Sequence, residues 1–270
     1  MKPIVTVVIP TINRASLPSA LNSVSGQTYK GYEVIIVDDS KEQSVKSNLY
    51  KVIRTGGLTG VSKARNLGIS EVSTEFTALL DDDDRWHKEY LEKQLMNFAQ
   101  MDIDFGITGA VVNGRNRPKT PLGIGANPFE LLYGKPHILR SKAYLPTSAY
   151  LFRTTIAEKI KFNETISDRE NLNFVWDVFR EDYKIHQDPL SLVSINYSSK
   201  NSLSRINVSE EKSWSEYLEI FNENWCENFL LESIRNFIRN GDRTSAKILI
   251  EQLNPEMKSL QKIVLKLVAH

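Results

Sequence analysis

The chain has 270 residues, 41% hydrophobic and 25% charged, with a formal net charge of +1. That length suffices for one large domain or two modest ones, and the balance of 34 basic against 33 acidic residues excludes nucleic-acid binding driven by net charge. The single cysteine, Cys226, excludes an intramolecular disulfide and fits a reducing compartment. The opening MKPIVTVVIP carries one lysine and its apolar stretch ends at Pro10, too short for a secretory leader. No apolar run approaches the roughly 18 residues of a spanning helix. The expectation is a cytoplasmic protein, with peripheral contact at the inner face of a membrane left open.

In chain order, IVTVVIP (4–10) is a β-branched run closed by proline and predicts a buried strand. TINR follows as a loop. Leu17, Leu21 and Val24 recur at helical spacing, with Pro18 tolerable only in a first turn. YEVIIVDDS (32–40) is a second buried strand, and KVIRTGG (51–57) a third, shorter one. LTGVSKARNLGIS (58–70) predicts a glycine-rich turn into a helix, and FTALL (76–80) another strand. From His87 to Ala99 the pattern is helical, with Leu91, Leu95 and Phe98 on one face. Strands alternating with helices predict an α/β fold with a mainly parallel central sheet, and continuous apolar strands predict helices on both faces.

Between about 100 and 150 the pattern loosens. DFGITGAVVN suggests a strand, and the Gly- and Pro-rich stretch to Pro136 a loop with one short helix. TSAYLFRTT (147–155) is strand-like, ENLNFVWDVFRE (170–181) helical, and YKIHQDPLSLVSINYS (183–198) extended. From about 208 the character changes. Trp214, Tyr217, Leu218, Phe221, Trp225 and Phe229 keep helical spacing, a stripe that reads as packing and leaves room for a homodimer contact. LLESIRNFIRNGDRTSAKILIEQLNP predicts a helical hairpin, with Gly241 as cap and Asp242 opening the next helix. The expected organisation is an α/β domain over 1–207 and a helical appendage over 208–270.

The stretch FTALLDDDDRWH (76–87) sets the functional question. Four carboxylates in a row repel one another, yet they follow a buried strand. VIIVDD (34–39) ends the same way. In open α/β sheets ligands bind at the carboxyl ends of strands. Two acidic strand ends on one edge are relieved by a divalent cation, Mn²⁺ or Mg²⁺, which prefers carboxylate oxygen and shares it with substrate phosphates. A metal and a phosphorylated ligand are expected together; a solvated acidic turn is the bland alternative.

Five motifs in order, VTVVIPTINR (5–14), SGQTYKGYEVIIVDD (25–39), GVSKARNLGI (60–69), LLDDDDRW (79–86) and LFRTTIAEKIKFNE (151–164), resemble family 2 glycosyltransferases, over about residues 3 to 205. The resemblance implies a GT-A fold and an inverting, metal-dependent transfer of a sugar from a nucleotide diphosphate donor, UDP-sugar favoured. The acceptor would be a hydroxyl of a glycan or lipid-linked saccharide. It implies that Pro10, Thr11 and Asn13 lie against base and ribose, that Asp39 hydrogen-bonds the base, and that Arg65 reaches the nucleotide side. Asp81 and Asp83 match the family's D-x-D, with Asp81 at the ribose and Asp83 on the metal. Asp84 would support them or point towards the acceptor.

Two departures matter. The family carries its general base in a Glu-Asp pair after FNE, whereas this chain has Glu170-Asn171. An amide cannot accept the proton, so Glu170 or Asp168 takes over, Glu170 being favoured, or catalysis is impaired. Both acids also suit a helix N-terminus for electrostatic reasons alone. TIN lacks the aromatic residue common in the family, so Ile12 would pack beside the base without stacking.

Other features are weaker. His186 is a late histidine suited to a metal site but more simply a strand residue, and His137 is equally open. Trp86 either shapes an acceptor pocket or packs in the core. Gly56, Gly57 and Gly60 do not make G-x-G-x-x-G and no P-loop is present, which disfavours dehydrogenases and P-loop enzymes. Lys258, Lys262 and Lys266 alternate with apolar residues, a solvated basic face or one that touches anionic lipid. The rival functions are a nucleotide-sugar-binding protein with lost or impaired catalysis and a nucleotidyltransferase-like enzyme.

Overall fold

The computed structural model describes residues 2–135, 143–166, 168–195 and 207–253. In chain order the elements are β1 (Val5–Thr11), α1 (Leu17–Ser25), β2 (Tyr32–Asp38), β3 (Lys51–Arg54), α2 (Val61–Ser70), β4 (Phe76–Leu79) and β5 (Arg85–Trp86). There follow α3 (Tyr90–Gln100), β6 (Phe105–Val112), β7 (Arg115–Arg117), α4 (Pro128–Tyr133), β8 (Tyr150–Arg153), α5 (Ile156–Lys159), α6 (Glu170–Arg180) and β9 (Ile185–Ile195). The last three are α7 (Val208–Glu219), α8 (Glu223–Arg239) and α9 (Arg243–Gln252). His137 and the stretch with Lys258, Lys262 and Lys266 lie outside the described residues.

The strands join one sheet in the order β3-β2-β1-β4-β8-β6-β9-β5, with β7 folded back on β6. β3, β2, β1 and β4 are parallel, as the alternation of strands and helices predicts. In the rest, β6 and β9 are also parallel, but the other pairings are not. β8 is antiparallel to both β4 and β6, and β5 and β7 are also antiparallel to their partners, so the sheet is mixed. The looser pattern after residue 100 corresponds to this half.

All seven residues of β1 are buried, which is why the run reads as continuously apolar. α2 lies hard against it. A Cβ on Gly68 would stand 2.4 Å from Val8 Cγ1 and 2.7 Å from Val37 Cγ2, so only glycine lets the helix approach this closely. On β6, Phe105 meets Phe174 of α6, while a Cβ on its neighbour Gly106 would meet Phe98 of α3. Successive strand residues point to opposite faces, so α3 and α6 cover the two faces of the sheet.

Residues 129–135 and 207–253 form a compact unit of their own. Sequence reading assigns 129–135 to the first domain; the structure groups it with the helices because Phe129 meets Trp214 and Trp225 edge-on and Tyr133 accepts from Trp214 Nε1 at 3.2 Å. The aromatic stripe is packing, but not on one helix. Asn222 ends the spacing by capping α8, its Oδ1 accepting the Trp225 N–H at 3.2 Å. The hairpin is as expected: Gly241 turns the chain at φ +79°, and Asp242 caps α9 by accepting the Ser245 N–H at 3.0 Å. No helix among the described residues is long and apolar enough to cross a membrane.

Candidate active site

β1, β2 and β4 are parallel, so their carboxyl ends share one edge, and the acidic strand ends Asp38-Asp39 and Asp81–Asp84 both lie along it. The four acids of the turn have four different environments. Asp81 is partly exposed and accepts Arg65 Nη2 at 2.7 Å. Asp82 is fully buried and holds the Thr11 hydroxyl on Oδ2 and Arg14 Nη1 on Oδ1. Asp84 is buried and accepts the Ser148 hydroxyl at 2.6 Å. Burial first, then the Asp81 charge, pushes the Asp84 carboxyl well above the ordinary range. Asp83 differs from the other three: its side chain is 51% exposed, and its cationic neighbour, Arg14 Nη1, stands off at 3.8 Å.

The run is therefore not a uniformly solvated turn. Three of its carboxylates are bonded into the fold and one is left open. Burial and the Asp81 charge raise the Asp83 carboxyl, Arg14 pulls it down, and Asp82 raises it again. A bound cation would reverse that imbalance. Among the described residues no group of three or more His, Cys, Asp or Glu is arranged to hold a metal. Asp83, with Asp81 beside it, is the donor set on offer.

Thr11 and Pro10 are buried in β1, so the Thr11 hydroxyl serves Asp82. Asn13 is exposed at φ +62°; its N–H donates to Thr11 Oγ1 and its Nδ2 to Ser44 Oγ, each at 2.9 Å. This left-handed residue precedes Arg14, which the sequence reading did not assign; an arginine in a loop carries no signal of the buried carboxylate that it meets. Ser148 was missed as well. It sits in a short 3-10 turn, Thr147–Ala149, where its Oγ accepts the Asp81 N–H at 3.0 Å and donates to Asp84.

Asp39 organises the glycine-rich loop between β3 and α2. Its Oδ1 accepts the Thr55 hydroxyl, the Thr59 N–H at 2.8 Å and the Thr59 hydroxyl at 2.9 Å, while Oδ2 accepts the Gly60 N–H at 3.0 Å. Burial alone would raise this carboxyl, but the bonds from Thr55, Thr59 and Gly60 together hold it below the usual carboxylate range. Oδ1 is filled. Oδ2 has a single partner and so keeps acceptor capacity for a base. Gly56, Gly57 and Gly60 all have φ near +100°, which the wrap around Asp39 requires.

Arg65, expected on the nucleotide side, is buried in α2. It is 2% exposed, and its guanidinium bridges Asp81 (Nη2, 2.7 Å) and Glu170 (Nη1, 2.7 Å). The two carboxylates hold it further into its charged form than its ordinary value, overcoming the burial that opposes it. Its Cζ stands 5.2 Å from the centroid of the Phe162 ring. Glu170 opens α6 directly after Arg169, whose φ of +62° is left-handed. Asp168 pairs with its neighbour Arg169 at 2.6 Å. Asn171 donates from Nδ2 to the Leu145 carbonyl at 2.9 Å.

Two further residues are resolved by geometry. Trp86 is core: it is buried, stacks on Tyr90 at 4.1 Å and donates to the Ser148 carbonyl at 2.7 Å. His186 lies opposite Gly106 on β6, in a row with Leu151 and Ala78. That row lies three residues before Asp81, so His186 is a strand residue away from the acidic turn.

The family described as Glycosyl transferase family 2 matches residues 6–161. The amylovoran biosynthesis glycosyltransferase AmsB of Erwinia amylovora is 26% identical over 181 residues, 59% of this chain and 58% of that one. The pre-mycofactocin glycosyltransferase of Mycobacterium tuberculosis is 26% identical over 213 residues, 73% of this chain and 43% of that one. The chain spans about half the length of the curated relatives it matches. Among solved structures, S. aureus TarS 1-349 in complex with UDP-GlcNAc is similar with a TM-score of 0.62 at 19% identity, covering 95% of this chain and 77% of that one. That likeness shows the GT-A-type fold, and the family match over 6–161 shows that this chain belongs to glycosyl transferase family 2.

Proposed function

We propose that this protein is an inverting, metal-dependent glycosyltransferase that moves a sugar from a nucleotide diphosphate donor, a UDP-sugar, to a hydroxyl of a glycan or lipid-linked saccharide. The observation that carries the reading is the differentiated acidic turn, in which Asp81, Asp82 and Asp84 are bonded into the fold and Asp83 is left half-exposed beside them. The similarity to an amylovoran biosynthesis glycosyltransferase supports a role in polysaccharide assembly, and the UDP-GlcNAc in the similar TarS complex supports the UDP-sugar.

Asp83, with Asp81, would hold the divalent cation, which when bound neutralises charge gathering on the leaving diphosphate. Asp39 Oδ2 would accept from the base. Glu170 would take the acceptor hydroxyl proton through Oε2, the oxygen not bonded to Arg65. The acceptor oxygen bonds to the anomeric carbon as the bond from that carbon to the β-phosphate oxygen breaks. The electron pair leaves on the diphosphate, and the anomeric centre inverts.

The test is calorimetric titration of UDP, GDP and dTDP with Mn²⁺, Mg²⁺ or EDTA on wild type and Asp83→Asn. UDP should bind with metal only, and Asp83→Asn should weaken it at least tenfold. A folded protein that binds no nucleotide under any of these conditions overturns the reading. A second reading, binding without turnover, is favoured by Asn171 in the place of the family's base. Metal-dependent UDP affinity without release of UDP from UDP-sugars would select it.

A further inference from the structure

We infer that Arg65 is a positioning residue that sets Glu170 against the donor carboxylate Asp81, and that it does not bind the nucleotide. The inference rests on the glycosyltransferase reading above and assigns a task within it.

Three elements meet on one guanidinium. Arg65 comes from α2, Asp81 from the turn after β4, and Glu170 from the first turn of α6. With 3% of its side chain exposed, Arg65 has no surface to offer a base or phosphate, and both terminal nitrogens are engaged at 2.7 Å. A buried charge of this kind holds its partners strongly, because separating them leaves an uncompensated ion. The planar fork also fixes the directions of both carboxylates, which a lysine ammonium cannot do.

The neighbouring residue strengthens the arrangement. Asn66 grips the backbone of Phe162, and the Phe162 ring in turn lies beside the Arg65 guanidinium. Consecutive residues of α2 thus anchor the segment leading to Glu170 and Glu170 itself. In a single displacement, donor and base must stand on opposite sides of the reacting carbon at a set separation. Misplacing a reacting group by about 1 Å costs on the order of a hundredfold in rate. A guanidinium that touches the donor carboxylate on one side and the base on the other sets that separation.

The test is a double-mutant cycle of Arg65→Lys and Glu170→Gln. It reads UDP release from UDP-GlcNAc into water with Mn²⁺, which needs no acceptor, together with UDP affinity by calorimetry. Arg65→Lys should lower kcat by about tenfold to a hundredfold and lower UDP affinity by much less than tenfold, the part passed on through Asp81. In the Glu170→Gln background the same change should alter kcat by less than about twofold, because the group it positions is already gone. The glutamine variant retains an oxygen for Arg65 Nη1, so its fold is preserved if UDP affinity is. Additive losses, or a tenfold loss of UDP affinity in Arg65→Lys, overturn the proposal while leaving the function standing. A wild type that neither binds UDP nor releases it overturns both.

Discussion

Asn66 pairs with the backbone of Phe162 at both ends of its amide: Nδ2 donates to the Phe162 carbonyl and Oδ1 accepts the Phe162 N–H, each at 2.9 Å. Nδ2 also donates to Glu164 Oε1 at 3.0 Å. A side chain on α2 therefore completes the hydrogen bonding of a loop 96 residues away, the one that feeds α6. Asn66→Asp removes the donor and sets a carboxylate against a carbonyl and Glu164. A loss of about 2 kcal/mol is expected, measured by urea unfolding. UDP release should fall at temperatures where the variant is still folded, since the displaced loop leads to Glu170.

Gly68 makes a complementary prediction about the same helix. Gly68→Ala improves intrinsic helix propensity by about 1 kcal/mol. Against that, the added methyl would press on Val8 and Val37, both fully or nearly fully buried on adjacent parallel strands. Overpacking of this kind costs about 1–3 kcal/mol, so the net effect should be a lower Tm. The helix must lift from the sheet and carry Arg65 with it, so turnover should fall along with stability. A variant more stable than wild type would show that α2 is not seated as described.

The parallel half of the fold and the acidic edge were legible because burial on both faces leaves a local signature. β1, β2 and β4 read as apolar runs, and each stops on the residues that matter. The charge pattern showed that carboxylates gather, but not which one stays open. That distinction depends on Thr11, Arg14, Arg65 and Ser148, which reach the turn from 16 to 71 residues away. The same limit hid the bridge from Arg65 to Glu170, a contact over 105 residues. β5 and β7 are too short to show a period, and β8 reads as a strand without revealing that it runs backwards. Phe129 and Tyr133 lie in the one short helix expected there, but its grouping with the later helices was hidden because their ring partners come more than 80 residues later.

The Asp39 carboxyl predicts a pH dependence. Its folded pKa lies below the ordinary 3.8 because the bonds from Thr55, Thr59 and Gly60 outweigh burial. Between the two values the unfolded chain binds more protons than the folded one. The stabilisation is therefore complete above the unfolded value and is lost as pH falls through the folded one. Asp39→Asn should be less stable than wild type at neutral pH, with the gap in Tm narrowing as pH drops from about 5 towards 3. A constant gap over that range would mean that the loop is not held by the ionised carboxylate.

The last prediction concerns Asn171, the residue at which this chain departs from its family. Its Nδ2 donates to the Leu145 carbonyl at 2.9 Å, and the same carbonyl accepts the Tyr150 hydroxyl at 2.8 Å. The site asks for a donor. Asn171→Asp would turn a carboxylate oxygen onto a carbonyl oxygen, so restoring the family's acid should not restore a base. A loss of about 1–3 kcal/mol is expected from the broken bond, read as a lower Tm, with no gain in UDP release at saturating UDP-GlcNAc and Mn²⁺. If the rate instead rises tenfold or more, position 171 is the proper seat of the base, and Glu170 only holds Arg65. A gain would thus mark a chain that has lost its proton acceptor at position 171, whereas no gain leaves that task to Glu170 and its own variant.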